Sequence, residues 1–128
     1  MKNKEIYKTA LNLIGEPMDE ERVADYNMRA PYLIGNFLCE NARLDAAYRS
    51  FMKLEPIEYT HSVCAELEED FGLSERFAPA AGYYLASMLV MDEDGELADK
   101  MFDLYSTAMS KISSEIPGVS EKIIDFYR

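Results

Sequence analysis

The chain has 128 residues, of which 48% are hydrophobic, 12% aromatic and 29% charged. This is the length of one domain and the composition of a packed globular protein, which excludes a chain with two cores and an intrinsically disordered one. Thirteen Lys and Arg against twenty-four Asp and Glu leave a formal net charge of −11. Because most of such a surface would repel a phosphate backbone, the charge argues against a nucleic-acid-binding protein.

Apolar residues at helical spacing predict two helices in the first half of the chain. The first is short and ends at Gly15 and Pro17, and its apolar face comprises Ile6, Ala10, Leu13 and Ile14. A longer pattern keeps its register across Pro31 and comprises Val23, Tyr26, Ala30, Leu33, Ile34, Phe37 and Leu38. Since proline lacks an amide donor, we expect this helix to kink at Pro31 or to restart there.

The same pattern continues to Leu54 before Pro56 ends it, and its apolar residues are Leu44, Ala47, Tyr48 and Phe51. Residues 55–73 show no sustained period. We predict that they form a connecting segment with at most one short turn of helix.

The second half predicts an antiparallel helical hairpin over residues 75–113. Ser74 is the expected N-cap of its first helix, whose apolar face comprises Phe77, Ala81, Tyr84, Leu85 and Met88. The acidic residues 92–94 and Gly95 separate it from a second helix, whose apolar face comprises Leu97, Met101, Leu104, Tyr105, Ala108 and Ile112. A charge at Leu85 or Leu104 should therefore unfold the domain, whereas charge changes at Asp92 or Glu93 should be nearly silent.

These elements predict an all-α fold with a single domain over residues 1–128. We expect a small helical bundle, in which an N-terminal helical layer packs on the C-terminal hairpin and an extended tail follows.

The residues that could perform chemistry lack the partners that they would need. Cys39 and Cys64 are too few for a disulfide framework, and with one histidine, His61, they cannot complete a zinc site. Glu58 and His61 have the spacing of one half of a di-iron site, but a second histidine is missing. We therefore predict a protein that is not an enzyme and needs no cofactor or metal. The acidic cluster 66–70 is more simply a solvated face than a paired-carboxylate site.

After Pro117 and Gly118 the chain ends in VSEKIIDFYR, which concentrates large apolar residues where chains usually fray. A tail of this kind must pack against something. Residues 119–128 are therefore a candidate assembly tail, and its candidate interface residues are Ile123, Ile124, Asp125, Phe126 and Tyr127. The alternative is that the tail folds back and seals its own domain.

The stretch RFAPAAGYYLASMLVMDEDGELADKMFDLYSTAMSKI resembles the helical hairpin of small tailed-phage and prophage structural proteins, the head-to-tail connectors or head-completion adaptors. In that pattern an aromatic and alanine-rich helix precedes an Asp-rich turn, here residues 91–95, and a helix with spaced aromatics, here Phe102 and Tyr105. The ending IIDFYR is similar to the hydrophobic, acidic and tyrosine-bearing tail of these proteins, with Asp125 and Tyr127 in matching places. The N-terminal segment ALNLIGE is also similar to the opening segment of these proteins.

The resemblance implies a structural protein that forms a homo-oligomeric ring on the phage portal, together with other phage structural proteins. DNA would pass through the ring without sequence-specific binding, and an acidic wall would suit that passage because phosphate contacts would hold the duplex. Such a protein would act in the bacterial cytoplasm during assembly and then in the virion, without a membrane.

Two alternatives remain open. One is an acidic helical interaction protein, such as an antitoxin-like inhibitor or a regulatory adaptor that covers a basic partner. The other is a small enzyme or metal-binding bundle that uses the 66–70 carboxylates.

Overall fold

The computed structural model describes residues 1–15, 20–59 and 63–118, and for residues 20–23 the backbone alone. This part of the chain forms a short 3-10 turn at Glu75–Phe77 and four α-helices: α1 (Asn3–Leu13), α2 (Glu20–Phe51), α3 (Ala78–Val90) and α4 (Gly95–Ser114). The predicted all-α fold is confirmed. None of these helices combines the length and the apolarity needed to cross a membrane.

Helix α3 is the centre of the bundle and contacts α1, α2 and α4. Its small residues allow close approach: a Cβ atom on Gly82 would lie 3.3 Å from the Thr9 methyl group of α1. On another side of α3, the hydroxyl of Ser87 donates a 2.9 Å hydrogen bond to the carbonyl of Ala98 in α4. Leu85 is fully buried in this core. The predicted hairpin is therefore present, and α3 is its buried arm.

Helix α4 begins where the acidic turn predicts, because the carboxylate of Asp94 accepts a 3.1 Å hydrogen bond from the backbone N–H of Leu97. Its buried stripe is narrower than predicted and is centred on Ala98, Met101 and Ile112. Leu104 lies about 60° round the helix from Met101 and is 38% exposed. The expectation that Leu104 belongs to the core is wrong, because the described helices cover α4 mainly along its α3 side.

Helix α2 passes through Pro31 without a break, so of the two expected alternatives, a kink or a restart, the restart does not occur. The carbonyl of Asn27, which loses its amide donor at Pro31, belongs to an exposed residue and can be hydrated. The predicted stripe holds at its centre, where Tyr26, Ile34 and Phe37 are buried, while the side chain of Val23 lies outside the described residues. At the C-terminal end the stripe fails, since Phe51 is 50% exposed.

The connecting segment contains no helix in its described residues 55–59 and 63–73, as the missing period predicts. Residues 63–65 cross α2 in close contact, and the backbone N–H of Ala65 donates a 2.9 Å hydrogen bond to the carbonyl of Pro31. Gly35, one turn further along α2, makes the crossing possible. A Cβ atom there would lie 2.3 Å from the Val63 carbonyl oxygen and 3.0 Å from the Cys64 nitrogen.

Gly35→Ala should destabilise the protein by about 1–3 kcal/mol, because the atoms that the new methyl group meets are backbone and cannot rotate away. At an unhindered helical position the same change would stabilise by about 1 kcal/mol. Urea unfolding followed by circular dichroism measures the difference. Gly95→Ala is the control, since no heavy atom lies within 4 Å of its added Cβ. Higher stability in Gly35→Ala would show that residues 63–65 do not cross here.

Candidate interaction surface

Asp45 is a fully buried carboxylate near the C-terminal end of α2. Its Oδ1 accepts a 2.9 Å hydrogen bond from the backbone N–H of Ser74. Its Oδ2 accepts hydrogen bonds from the Arg49 Nε atom, at 3.0 Å, and from the Tyr59 hydroxyl. One side chain therefore joins α2 to the segment that follows it and to the residue before the 3-10 turn.

The surroundings of Asp45 favour its charged form. Burial by itself would raise the pKa of this carboxyl, but the hydrogen bonds from Ser74, Tyr59 and Arg49 outweigh burial and hold the pKa below its ordinary value. Burial, and then the neighbouring Asp45 carboxylate, raise the pKa of Tyr59 to about 12. At neutral pH the phenol is therefore a neutral donor to an ionised acceptor.

The predicted capping role of Ser74 is wrong in its detail. Ser74 precedes the 3-10 turn, and its side chain makes no capping hydrogen bond. Helix α3 starts at Ala78, with Pro79 in its first turn, where no amide donor is needed. The contribution of Ser74 is instead its backbone N–H, which binds Asp45.

The end of α2 is closed by a Schellman-type turn. Lys53 has φ of 58°, the left-handed conformation that ends many helices. The backbone N–H of Leu54 donates to the Arg49 carbonyl at 2.8 Å, and that of Lys53 donates to the Ser50 carbonyl at 3.3 Å. This turn sets the direction in which Leu54 and the following residues leave the helix.

A cavity of about 410 Å³ lies beside the Asp45 cluster, lined by Ala46, Arg49, Ser50, Leu54, Pro56, Ile57 and Tyr59. Leu54 and Ile57 of this lining are 45% and 39% exposed, and Phe51 and Met52 at the adjoining end of α2 are 50% and 49% exposed. We call these four residues the apolar rim. Exposed apolar side chains close to a concave surface are typical of protein-binding sites.

Charges of both signs lie near the rim. Residues 43–53 include Arg43, Arg49 and Lys53 but one acid, Asp45, which is buried and hydrogen-bonded. Glu55 and Glu58, both exposed, follow on the segment that lines the cavity, so the exposed bases Arg43 and Lys53 share this surface with acids.

The residues considered for chemistry are dispersed. Cys39 is exposed and Cys64 is half-buried. Burial, followed by the nearby Glu66, raises the pKa of the Cys64 thiol, which makes it a weaker nucleophile and metal ligand. Among the described residues, no three His, Cys, Asp or Glu side chains are grouped to hold a metal ion. His61 lies outside the described residues, as do Ile123, Ile124, Asp125, Phe126 and Tyr127 of the tail.

The acidic cluster 66–70 packs against the N-terminus of the chain. Glu68 lies 3.6 Å from the Lys2 ammonium group and 3.4 Å from that of Lys4. The backbone N–H groups of Asn3 and Lys4 donate to the carbonyls of Glu69 and Leu67. The four acids of the cluster are exposed, so the cluster is a solvated edge with surface ion pairs.

Glu93 in the hairpin turn has a partner that the sequence did not suggest. The hydroxyl of the buried Tyr26 donates a 2.7 Å hydrogen bond to a Glu93 carboxylate oxygen. We therefore correct the expectation that charge changes at Glu93 are silent, because such a change removes the acceptor of a buried side chain. Asp92 is exposed, and there the expectation stays a prediction.

Sequence reasoning missed Asp45 although a signal was present. Ile34, Leu38 and Asn41 repeat at helical spacing on the buried face of α2, and Asp45 is the next position in that series. An acid at a core position, four residues before an arginine, indicates a buried pair.

Comparisons with protein-family models, with curated proteins and with solved structures found no match to this chain.

Proposed function

We propose that this chain is a non-enzymatic structural adaptor of a tailed phage or prophage, a head-to-tail connector that assembles with identical copies on the portal. The observation that carries the proposal is the apolar rim beside its cavity, at one end of a small acidic bundle. A surface that leaves four large apolar side chains in water is stabilised when a partner covers it.

The hairpin pattern and the IIDFYR ending support the phage assignment within the wider class of interaction proteins. The charge distribution agrees with such a role, since acids predominate from Glu66 to Asp99, where Arg76 is the single base. An acidic wall would let a duplex slide past without being held. The apolar rim would then be available for protein contacts.

Gene order is the first test. Portal, protease and capsid genes upstream of this reading frame are expected, whereas a paired toxin gene would contradict the proposal and favour an antitoxin-like inhibitor.

Binding to the portal encoded in that neighbourhood is the second test. The full chain should co-elute with the assembled portal, and Leu54→Asp should weaken the complex about tenfold or more, because it places a charge on a rim that assembly on the portal covers. Met91→Asp is the matched control, since Met91 is 49% exposed but lies in the hairpin turn. Failure of the wild-type chain to bind the portal, or equal losses in both variants, would refute the assigned role of the rim.

A further inference from the structure

The apolar rim and its cavity suit a partner segment that carries large apolar side chains together with an acid. Leu54 and Ile57 belong to both the rim and the lining of the cavity, so side chains that cover the rim can also enter the cavity. Arg49 lies in the cavity wall and is paired with Asp45. The base that is exposed to a partner at the end of the helix is therefore Lys53, with Glu55 and Glu58 on the segment that follows. A carboxylate flanked by apolar residues could pair with Lys53 while its neighbours contact Leu54 and Ile57.

We propose that this surface binds the C-terminal tail, residues 119–128, of a second copy of the chain. The tail places Asp125 within four large apolar residues: Ile123, Ile124, Phe126 and Tyr127. This inference rests on the proposed function in one respect, because it specifies the contact between copies in the assembly.

The geometry favours the tail of a second copy over the chain's own. Near the end of α4, Glu115 forms a 2.6 Å ion pair with Arg76. Phe77, which follows Arg76 in the sequence, packs edge-on against Tyr48 of α2, with ring centroids 6.1 Å apart. Ala46 and Ser50 line the cavity. Each is two residues from Tyr48, and two residues correspond to a rotation of about 200° round an α-helix, so Tyr48 lies on the opposite side of α2 from both. The contacts near the end of α4 therefore lie on the Tyr48 side of α2, opposite Ala46 and Ser50.

A neighbouring copy can present its tail to the open side of the cavity without passing round α2. The contact joins two different surfaces, the rim of one copy and the tail of the next. Such a contact is heterologous, and repeating it builds a ring when the rotation between copies closes.

Binding of a labelled peptide tests the contact directly. The peptide is VSEKIIDFYR with a fluorophore, and the receptor is the full chain carrying Phe126→Asp, so that its own tail competes less. We expect saturable binding, weakened about tenfold or more by Leu54→Asp in the receptor and unchanged by Met91→Asp. An Asp125→Lys peptide should also bind more weakly. Absence of saturable binding, equal effects of the two receptor variants, or undiminished binding of the Asp125→Lys peptide would overturn the proposal.

Mixing two full-length variants separates the two sources of the tail. Leu54→Asp has a defective rim and an intact tail, while Phe126→Asp has the reverse. Each should sediment as a monomer alone, and an equimolar mixture should form heterodimers that grow no further, because one intact contact remains per pair. A mixture that stays monomeric, with a lowered melting temperature in Phe126→Asp, would overturn the proposal by assigning the tail to its own domain. Heterodimers from a chain with no portal gene nearby would support this contact and refute the phage function.

Discussion

Leu85→Asp should abolish the cooperative unfolding transition of the domain. Leu85 is 0% exposed at the centre of α3, so the substitution removes a buried side chain and leaves a carboxylate without a partner. The two losses together approach the roughly 5–15 kcal/mol by which a domain of this kind is stable. Thermal unfolding followed by far- and near-ultraviolet circular dichroism measures the outcome.

Leu104→Asp is the matched control for that change. It makes the same substitution in the same hairpin at a side chain that is 38% exposed, where the new carboxylate can stay hydrated. We expect a loss of about 1 kcal/mol or less. Equal damage at both positions would show that α4 is covered more widely than the described residues indicate, and a folded Leu85→Asp protein would contradict the central position of α3.

Asp45→Ala should destabilise the protein by about 3–5 kcal/mol, because it leaves three donors without their shared acceptor, one of them the Arg49 guanidinium group. Urea unfolding at neutral pH measures the loss. Asp103→Ala in α4 makes the same change at an exposed residue and should alter stability by roughly 0.5 kcal/mol or less. A loss at position 45 no larger than this control would mean that the cluster is not a structural connection.

The pH dependence of stability provides a second readout of the same cluster. The pKa of Asp45 lies below its ordinary value of 3.8 in the folded state, so its contribution is present above that value and is lost as the pH falls through the folded pKa. The pKa of Tyr59 is raised from 10.0 to about 12, so its contribution is present below pH 10 and is lost as the pH rises towards 12. Tyr59→Phe should remove that alkaline loss, and an unchanged alkaline limb would contradict the contact.

The candidate surface was less accessible to sequence reasoning than the fold. Phe51 has the helical spacing of a core residue, and the apolar pattern alone places it with Tyr48. In the structure Tyr48 packs on Phe77, whereas Phe51 is half exposed and does not belong to the core cluster. Spacing identifies which residues share a face, but the lengths and positions of neighbouring helices decide how much of that face is covered.

The sequence by itself determined the helices and several of their ends, because these depend on interactions within a few residues. Apolar residues at a period of 3.6 predict α1, α3 and α4, while Gly15 and Asp94 mark a helix end and a helix start through their local backbone chemistry. Tertiary structure alone decided that Leu85 is buried and Leu104 exposed, that Gly35 lies under a crossing segment, and that Asp45 binds three distant donors. Each of these outcomes depends on chain segments far apart in sequence, whose approach is set by packing around α3 and leaves no local pattern.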